Sequence, residues 1–158
     1  MKILVVYYSL EGNCGFIAEE IKKILGADLL RLETVDEKRR AGLAKYVWGG
    51  RQVFTKAKPP LKPYAADIDA YDLIIIGAPV WAGSPAPALN SFLAQTRIAN
   101  KKLALFCCCG GGKGAFFDKL KAALPGNTFA GEIAFTNPGK EDPQKAREQL
   151  KGWLKIIT

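Results

Sequence analysis

Four cysteines and no histidine limit what this chain can do with its own side chains. Without imidazole there is no His-dependent triad and no histidine acid–base chemistry near neutral pH. The cysteines are Cys14 and the run Cys107-Cys108-Cys109, and they lack the paired spacing of zinc or iron–sulfur ligands, so no metal site is expected. Their number fits a reducing compartment better than a disulfide framework. Strand alternation puts Cys107 and Cys109 on one face and Cys108 on the other. The run serves either as small apolar packing in an interior strand or, at Cys109, as an approach to a ligand.

Other residues are placed to bind rather than to react. Ser9-Leu10-Glu11-Gly12-Asn13-Cys14 interrupts the apolar strand Ile3-Leu4-Val5-Val6-Tyr7-Tyr8 and leads into a helix. A helix N-terminus carries free backbone N–H groups and the positive end of the peptide dipole, and a tight loop before it aims more N–H groups inward. With Ser9 and Asn13 as side-chain donors at the same mouth, the loop reads as a cradle for the phosphate of a cofactor. A second signal is the stretch Asp72-Leu73-Ile74-Ile75-Ile76-Gly77-Ala78-Pro79-Val80-Trp81-Ala82-Gly83-Ser84-Pro85. Its unalternating apolar run predicts an interior parallel strand, which places Trp81 at the carboxyl end, where open α/β sheets hold their ligands. Pro85 and Pro87 suit the first turn of the following helix. A third loop, Gly110-Gly111-Gly112, either lets the backbone approach a flat ligand closely or simply makes a flexible turn.

The elements that must position these loops alternate along the chain. Strands are predicted near Lys2–Tyr8, Asp28–Glu33, Leu73–Ala78, Leu103–Cys109 and Thr128–Thr136. Helices are predicted near Asn13–Leu25, Asp36–Val53, Pro85–Thr96, Gly114–Leu124 and Asp142–Ile157. Strict β-α alternation implies right-handed crossovers and a parallel sheet covered on both faces, an α/β three-layer doubly wound sandwich. The 158 residues, 49% hydrophobic and without repeat or linker, suffice for one domain spanning 1–158. No stretch has the apolar length of a membrane span and Met1-Lys2 runs directly into a strand, so a cytoplasmic protein that does not engage a membrane is expected.

Along nearly its whole length the chain resembles the flavodoxin-like family, specifically its short-chain flavodoxins and FMN-dependent reductases. Tyr8 to Cys14 is similar to the family's phosphate loop, Pro79-Val80-Trp81-Ala82-Gly83 to its first flavin loop, and Cys109-Gly110-Gly111-Gly112-Lys113 to its second. The resemblance implies a five-stranded parallel sheet in the order 2-1-3-4-5, with FMN at the switch point between strands one and three. It implies Ser9, Leu10, Glu11, Gly12, Asn13 and Cys14 around the FMN phosphate. Pro79, Val80, Trp81, Ala82 and Gly83, with Cys109, Gly110, Gly111 and Gly112, would lie along the ring. Trp81 would then stack on or edge the flavin, or else act as a lid over the sheet end. The family's usual threonines are replaced here by Glu11 and Cys14, so the loop must rely on backbone N–H groups, Ser9 and Asn13. Glu11, which would repel a phosphate dianion, is expected to point outward, capping a backbone amine or pairing with a nearby lysine. Flavin chemistry tolerates the lack of histidine, because the cofactor carries electrons and hydride while the protein supplies position and electrostatics.

Two other activities of such folds are excluded. A phosphate-accepting receiver needs an acidic pair after the first strand and an aspartate ending the third, where this chain has Tyr8-Ser9 and Gly77-Ala78. A small tyrosine phosphatase needs Cys-x5-Arg in the first loop, but Glu20 stands at the Arg position. The net charge of +8 departs from the acidic character of flavodoxins and concentrates in residues 36–62. There Lys38, Arg39, Arg40, Lys45, Arg51, Lys56, Lys58 and Lys62 face only Asp36 and Glu37, with Tyr46, Trp48 and Phe54 interleaved. The cluster is either a solvated face or a docking surface. It fits an enzyme passing electrons or hydride to a small acceptor, or a carrier docking an acidic redox partner such as ferredoxin. A weak FMN-binding module without turnover is a third alternative, and homodimerisation is left open. No recognition module supports nucleic-acid binding, and no Gly-x-Gly-x-x-Gly supports direct pyridine-nucleotide binding. Cations near a flavin would favour its anionic reduced forms and raise its midpoint potentials.

Overall fold

A computed structural model describes residues 1–36, 47, 48, 50–52 and 56–158. Strand β1 (Ile3–Tyr8) is buried at every position, as expected of a parallel strand covered on both faces. It is followed by helix α1 (Asn13–Leu25) and strand β2 (Asp28–Leu32). After a long crossover and a 3₁₀ turn (Ile68–Ala70) come β3 (Leu73–Trp81), the two-residue β4 (Ser84–Pro85) and α2 (Ala88–Gln95). The chain continues through β5 (Lys102–Cys109), α3 (Phe116–Ala122), β6 (Thr128–Thr136) and α4 (Pro143–Ile157).

The sheet order is β2-β1-β3-β5-β6, parallel throughout, with β4 folded back antiparallel on the end of β3. Discounting β4, this is the expected 2-1-3-4-5 order of a flavodoxin-like doubly wound sheet. Period-two alternation divides each central strand between two cores. Val6, Ile74, Ile76 and Leu105 pack with Phe92, Phe116 and Leu120 on one face. Val5, Ile75, Ala104 and Phe106 pack with Ile17, Ile21, Leu150 and Trp153 on the other. Helices α2 and α3 therefore cover one face, and α1 and α4 the other.

Local chemistry sets the helix ends. Gly26, in the left-handed conformation, closes α1 by donating its N–H to Lys22 O at 2.8 Å. Asp142 caps α4 by accepting from the Lys145 N–H at 2.9 Å, and Pro143 occupies its first turn.

The boundaries that differ most from expectation lie beside Trp81. Strand β3 continues past Ala78 because Pro79, which lacks an N–H, still pairs with β5 opposite Cys108 and accepts from the Ala86 N–H. Beyond it Val80 pairs with Pro85 and Trp81 with Ser84, so Pro85 belongs to a hairpin and the helix waits until Ala88. Of the helix expected over Asp36–Val53, residues 47, 48 and 50–52 are helical, and residues 37–46, 49 and 53 lie outside the described residues. The described crossover is tied down at both ends. Thr34 bridges Leu61, while Ser91 Oγ and Asn90 Nδ2 donate to the Pro59 and Ala57 carbonyls at 2.5 and 3.2 Å. Among the described residues no helix is long and apolar enough to cross a membrane.

Candidate functional site

The carboxyl ends of β1, β3 and β5 open onto one cavity of about 830 Å³, within the size range of small-molecule and cofactor sites. Three loops wall it, each emerging from a different strand. From the first, Ser9, Leu10, Glu11, Asn13 and Cys14 face the cavity. From the second come Pro79, Val80, Trp81, Ala82 and Gly83, and from the third Cys109, Gly110, Gly111 and Gly112. Gly12 does not line it but serves as the N-cap of α1 at φ 97°, a conformation that favours glycine.

The first loop is a backbone cradle. Gly12 provides no side-chain cap, the Phe16 N–H returns to Gly12 O at 2.9 Å, and the Gly15 N–H donates to Ser9 Oγ at 3.1 Å. The N–H groups of Asn13 and Cys14 are then left at the start of the helix, where the dipole favours an anion. Asn13 has a structural task as well, since its Oδ1 accepts from the Gly139 N–H at 3.2 Å and only its amide nitrogen remains to donate elsewhere. Glu11 is paired with Lys140 at 3.7 Å, which offsets the carboxylate at the mouth. That lysine sits far along the chain, after β6, where no local pattern marks it as a partner.

The second loop is a tight hairpin. Its two central residues, Ala82 and Gly83, have φ values of 48° and 69°, the left-handed pair of a type I′ turn. The alanine accepts a strained backbone there because neighbours hold the turn. Gly83 O accepts from the Ala115 N–H at 3.0 Å, and Lys119 Nζ donates to Ser84 Oγ. Trp81 is braced by Tyr8, edge to face with ring centroids 5.9 Å apart, and by Trp48, tilted at 5.3 Å.

The cysteines divide among three surroundings. Cys107 lies in the α2/α3 core, where burial pushes its thiol far above the usual range. Cys109 lies at the end of β5, where its thiol donates to Phe135 O at 3.6 Å. Cys108 lies in the opposite core and also reaches the cavity, beside Cys14. Burial raises its thiol well above the usual range, and the nearby Cys14 thiol adds to the shift.

Trp48, Gly50, Cys108 and Asn137 also line the cavity, although the sequence did not mark them as site residues. Trp48 and Gly50 come from the crossover, and only the aromatic residues interleaved with its charges hinted at a role. Among the described residues no group of three or more Cys, Asp or Glu side chains could hold a metal.

The comparisons agree with this geometry. A flavoprotein of Lactobacillus acidophilus, solved in complex with FMN, is 25% identical with a TM-score of 0.73, over 91% of this chain and 98% of that one. A structure from Bacteroides eggerthii is 25% identical with a TM-score of 0.82, over 99% and 97% of the two chains. The two-electron-reduced flavodoxin of Megasphaera elsdenii, at 18% identity and a TM-score of 0.61 over 97% and 98%, shares the fold. No curated protein matches the chain significantly. The family described as NADPH-dependent FMN reductase matches residues 1–126, most of the sequence and all three cavity loops. A flavodoxin-like sheet with its cavity at the β1/β3 switch point, together with that match, shows that the chain belongs to the NADPH-dependent FMN reductase family.

Proposed function

We propose that this chain binds FMN in the cavity and works as an FMN-dependent oxidoreductase that passes electrons or hydride to a small acceptor such as a quinone or a second flavin. The observation that carries the reading is the convergence of an anion-binding helix start and an aromatic hairpin on one cavity, a polar end and a flat apolar wall in a single site. The L. acidophilus relative solved with FMN supports the same cofactor. The residues present fit such a molecule. The N–H groups of Asn13 and Cys14, with Ser9 Oγ and the Asn13 amide, would hold its phosphate, and Trp81 with the Cys109–Gly112 backbone would flank its ring.

Bound FMN supplies one-electron transfer and hydride transfer. The chain supplies placement: Tyr8 and Trp48 fix Trp81, the Gly83–Ala115 bond fixes the hairpin, and the Lys140–Glu11 pair lowers repulsion at the phosphate end. No histidine is available to move protons.

The decisive first measurement is an absorbance titration of the purified protein with FMN. Saturable binding with a perturbed flavin spectrum is expected, and no binding would overturn the reading. Steady-state NAD(P)H oxidation with a quinone then tests turnover. Salt-dependent exchange with ferredoxin and no turnover would instead make the protein an electron carrier that uses its basic crossover for docking.

A further inference from the structure

The turn that follows β6, residues 137–141, is fastened to two of the three cavity loops. The Asn137 N–H donates to Cys109 O at 3.0 Å, and Asn137 itself lines the cavity. The Gly139 N–H donates to Asn13 Oδ1 at 3.2 Å, and a Cβ on Gly139 would lie only 3.3 Å from that oxygen, so the glycine lets the turn rest against the start of α1. The turn is also closed on itself, with the N–H groups of Lys140 and Glu141 both donating to Asn137 O at 3.0 Å. Its backbone thus holds Lys140 beside the first loop while the lysine side chain stays 61% exposed.

Lys140 Nζ lies 3.7 Å from Glu11 Oε2, and Glu11 lines the cavity. A well-made charge-assisted hydrogen bond is about 2.7–2.9 Å long, so this pair is loose, and loose pairs between solvent-accessible side chains hold little. Arg31, also near this loop, is committed to Ser9 O at 3.3 Å and to Glu33 at 3.9 Å. The donors that face a phosphate in the cradle, the N–H groups of Asn13 and Cys14 with Ser9 Oγ and the Asn13 amide, are all uncharged.

We propose that Lys140 is a ligand of the cofactor phosphate, its ammonium taking up direct contact with the phosphate at the expense of the loose pairing with Glu11. The proposal rests on the FMN reading. A phosphate monoester carries a charge of about −1.5 to −2 at neutral pH, so at equal distance it attracts an ammonium more strongly than a carboxylate does. The flexible four-carbon stem of lysine lets the charge shift while the turn stays pinned. Lys140 lies outside residues 1–126, the stretch matched by the family, so this charge reaches the cradle from the last β-α unit rather than from the matched loops. It offsets the loss of hydroxyls at Glu11 and Cys14.

Parallel titrations with FMN and riboflavin, which share the ring and differ in the phosphate, test the proposal. Lys140→Gln should bind FMN about five- to tenfold more weakly than wild type and riboflavin equally well. Its FMN affinity should also fall less steeply with salt. Glu11→Gln, which removes the competing carboxylate, should tighten FMN by about two- to fivefold and leave riboflavin unchanged. A Lys140→Gln variant that binds FMN like wild type, or that loses FMN and riboflavin alike, would overturn the phosphate role and leave the function reading standing. Weaker FMN binding by Glu11→Gln would overturn the exchange between carboxylate and phosphate. Wild-type protein that binds neither flavin would overturn the FMN reading itself, and the role of Lys140 with it.

Discussion

The two walls of the cavity are built by different means. The cradle wall, Ser9 to Cys14, turns at a glycine with open space around it, since a Cβ at Gly12 would meet nothing within 4 Å. The hairpin wall is packed backbone against backbone, and a Cβ on Gly114 would lie 2.6 Å from the Cα of Gly83. The cradle is held by polar contacts, the Gly139 N–H donating to Asn13 Oδ1 at 3.2 Å and Lys140 pairing with Glu11 at 3.7 Å, and the helix behind it is tied to α4 by the Glu20–Arg147 pair at 3.1 Å. The hairpin is held by backbone contact and by hydrogen bonds to Gly83 O and Ser84 Oγ. A ligand-binding loop anchored through charges should respond to pH, whereas one anchored by packing should respond to volume.

The largest expected effect is at the packed wall. Gly114→Ala adds a methyl group against main chain and forces an L residue into φ 51°, which together cost about 3 kcal/mol, with loss of the hairpin geometry. A thermal or urea melt measures the loss, and a variant within about 0.5 kcal/mol of wild type would erase the contrast between the walls. Gly12→Ala carries only the backbone strain, about 1–2 kcal/mol, since there is nothing to clash with. The same melt should rank it clearly below Gly114→Ala.

The charge-held side is tested by acid. The Lys23 hydrogen bond lowers the Glu20 carboxyl below its ordinary range against the opposing effect of burial, with Arg147 adding to the lowering. A depressed carboxylate contributes stability that is fully present above its unfolded value, near 4.3, and is lost as pH falls through its folded value. Glu20→Gln should therefore cost about 1 kcal/mol at neutral pH, and the gap to wild type should close below about pH 4. Melts from pH 7 to 3 that keep a constant gap would show that the pair does not anchor α1. The smallest effect is a gain. Ala82→Gly relieves the left-handed strain at φ 48° and should stabilise the hairpin by about 0.5–1 kcal/mol, net of the freedom it adds to the unfolded chain. A lower melting temperature would show that Ala82 contributes packing that outweighs its strain.

Much of the site was legible because its parts are local. An apolar strand, a loop with one glycine and a helix start occupy consecutive residues, so Ser9–Cys14 could be read directly as a cradle. Trp81 could be placed at a strand end by the same reasoning, although its strand runs further than composition implied, since a proline that still accepts hydrogen bonds does not end a ladder. The lining residues that were missed, apart from Cys108 in β5, come from segments outside the three loops. Trp48 meets Trp81 only after the crossover folds over the sheet, and Asn137 arrives at the cavity after β6.

Sequence periodicity by itself determined the alternation of strands and helices, the assignment of Cys107 and Cys108 to opposite faces, and the gathering of three ligand-binding loops at the carboxyl ends of parallel strands. These depend on side-chain geometry that repeats every two or 3.6 residues and needs no distant partner. Only the tertiary structure decided that Lys140 offsets Glu11 and that Gly114 lies against Gly83. Both contacts depend on strand order and on how the loops at the carboxyl end of the sheet come together, which are settled when the whole core closes and leave no trace in local sequence.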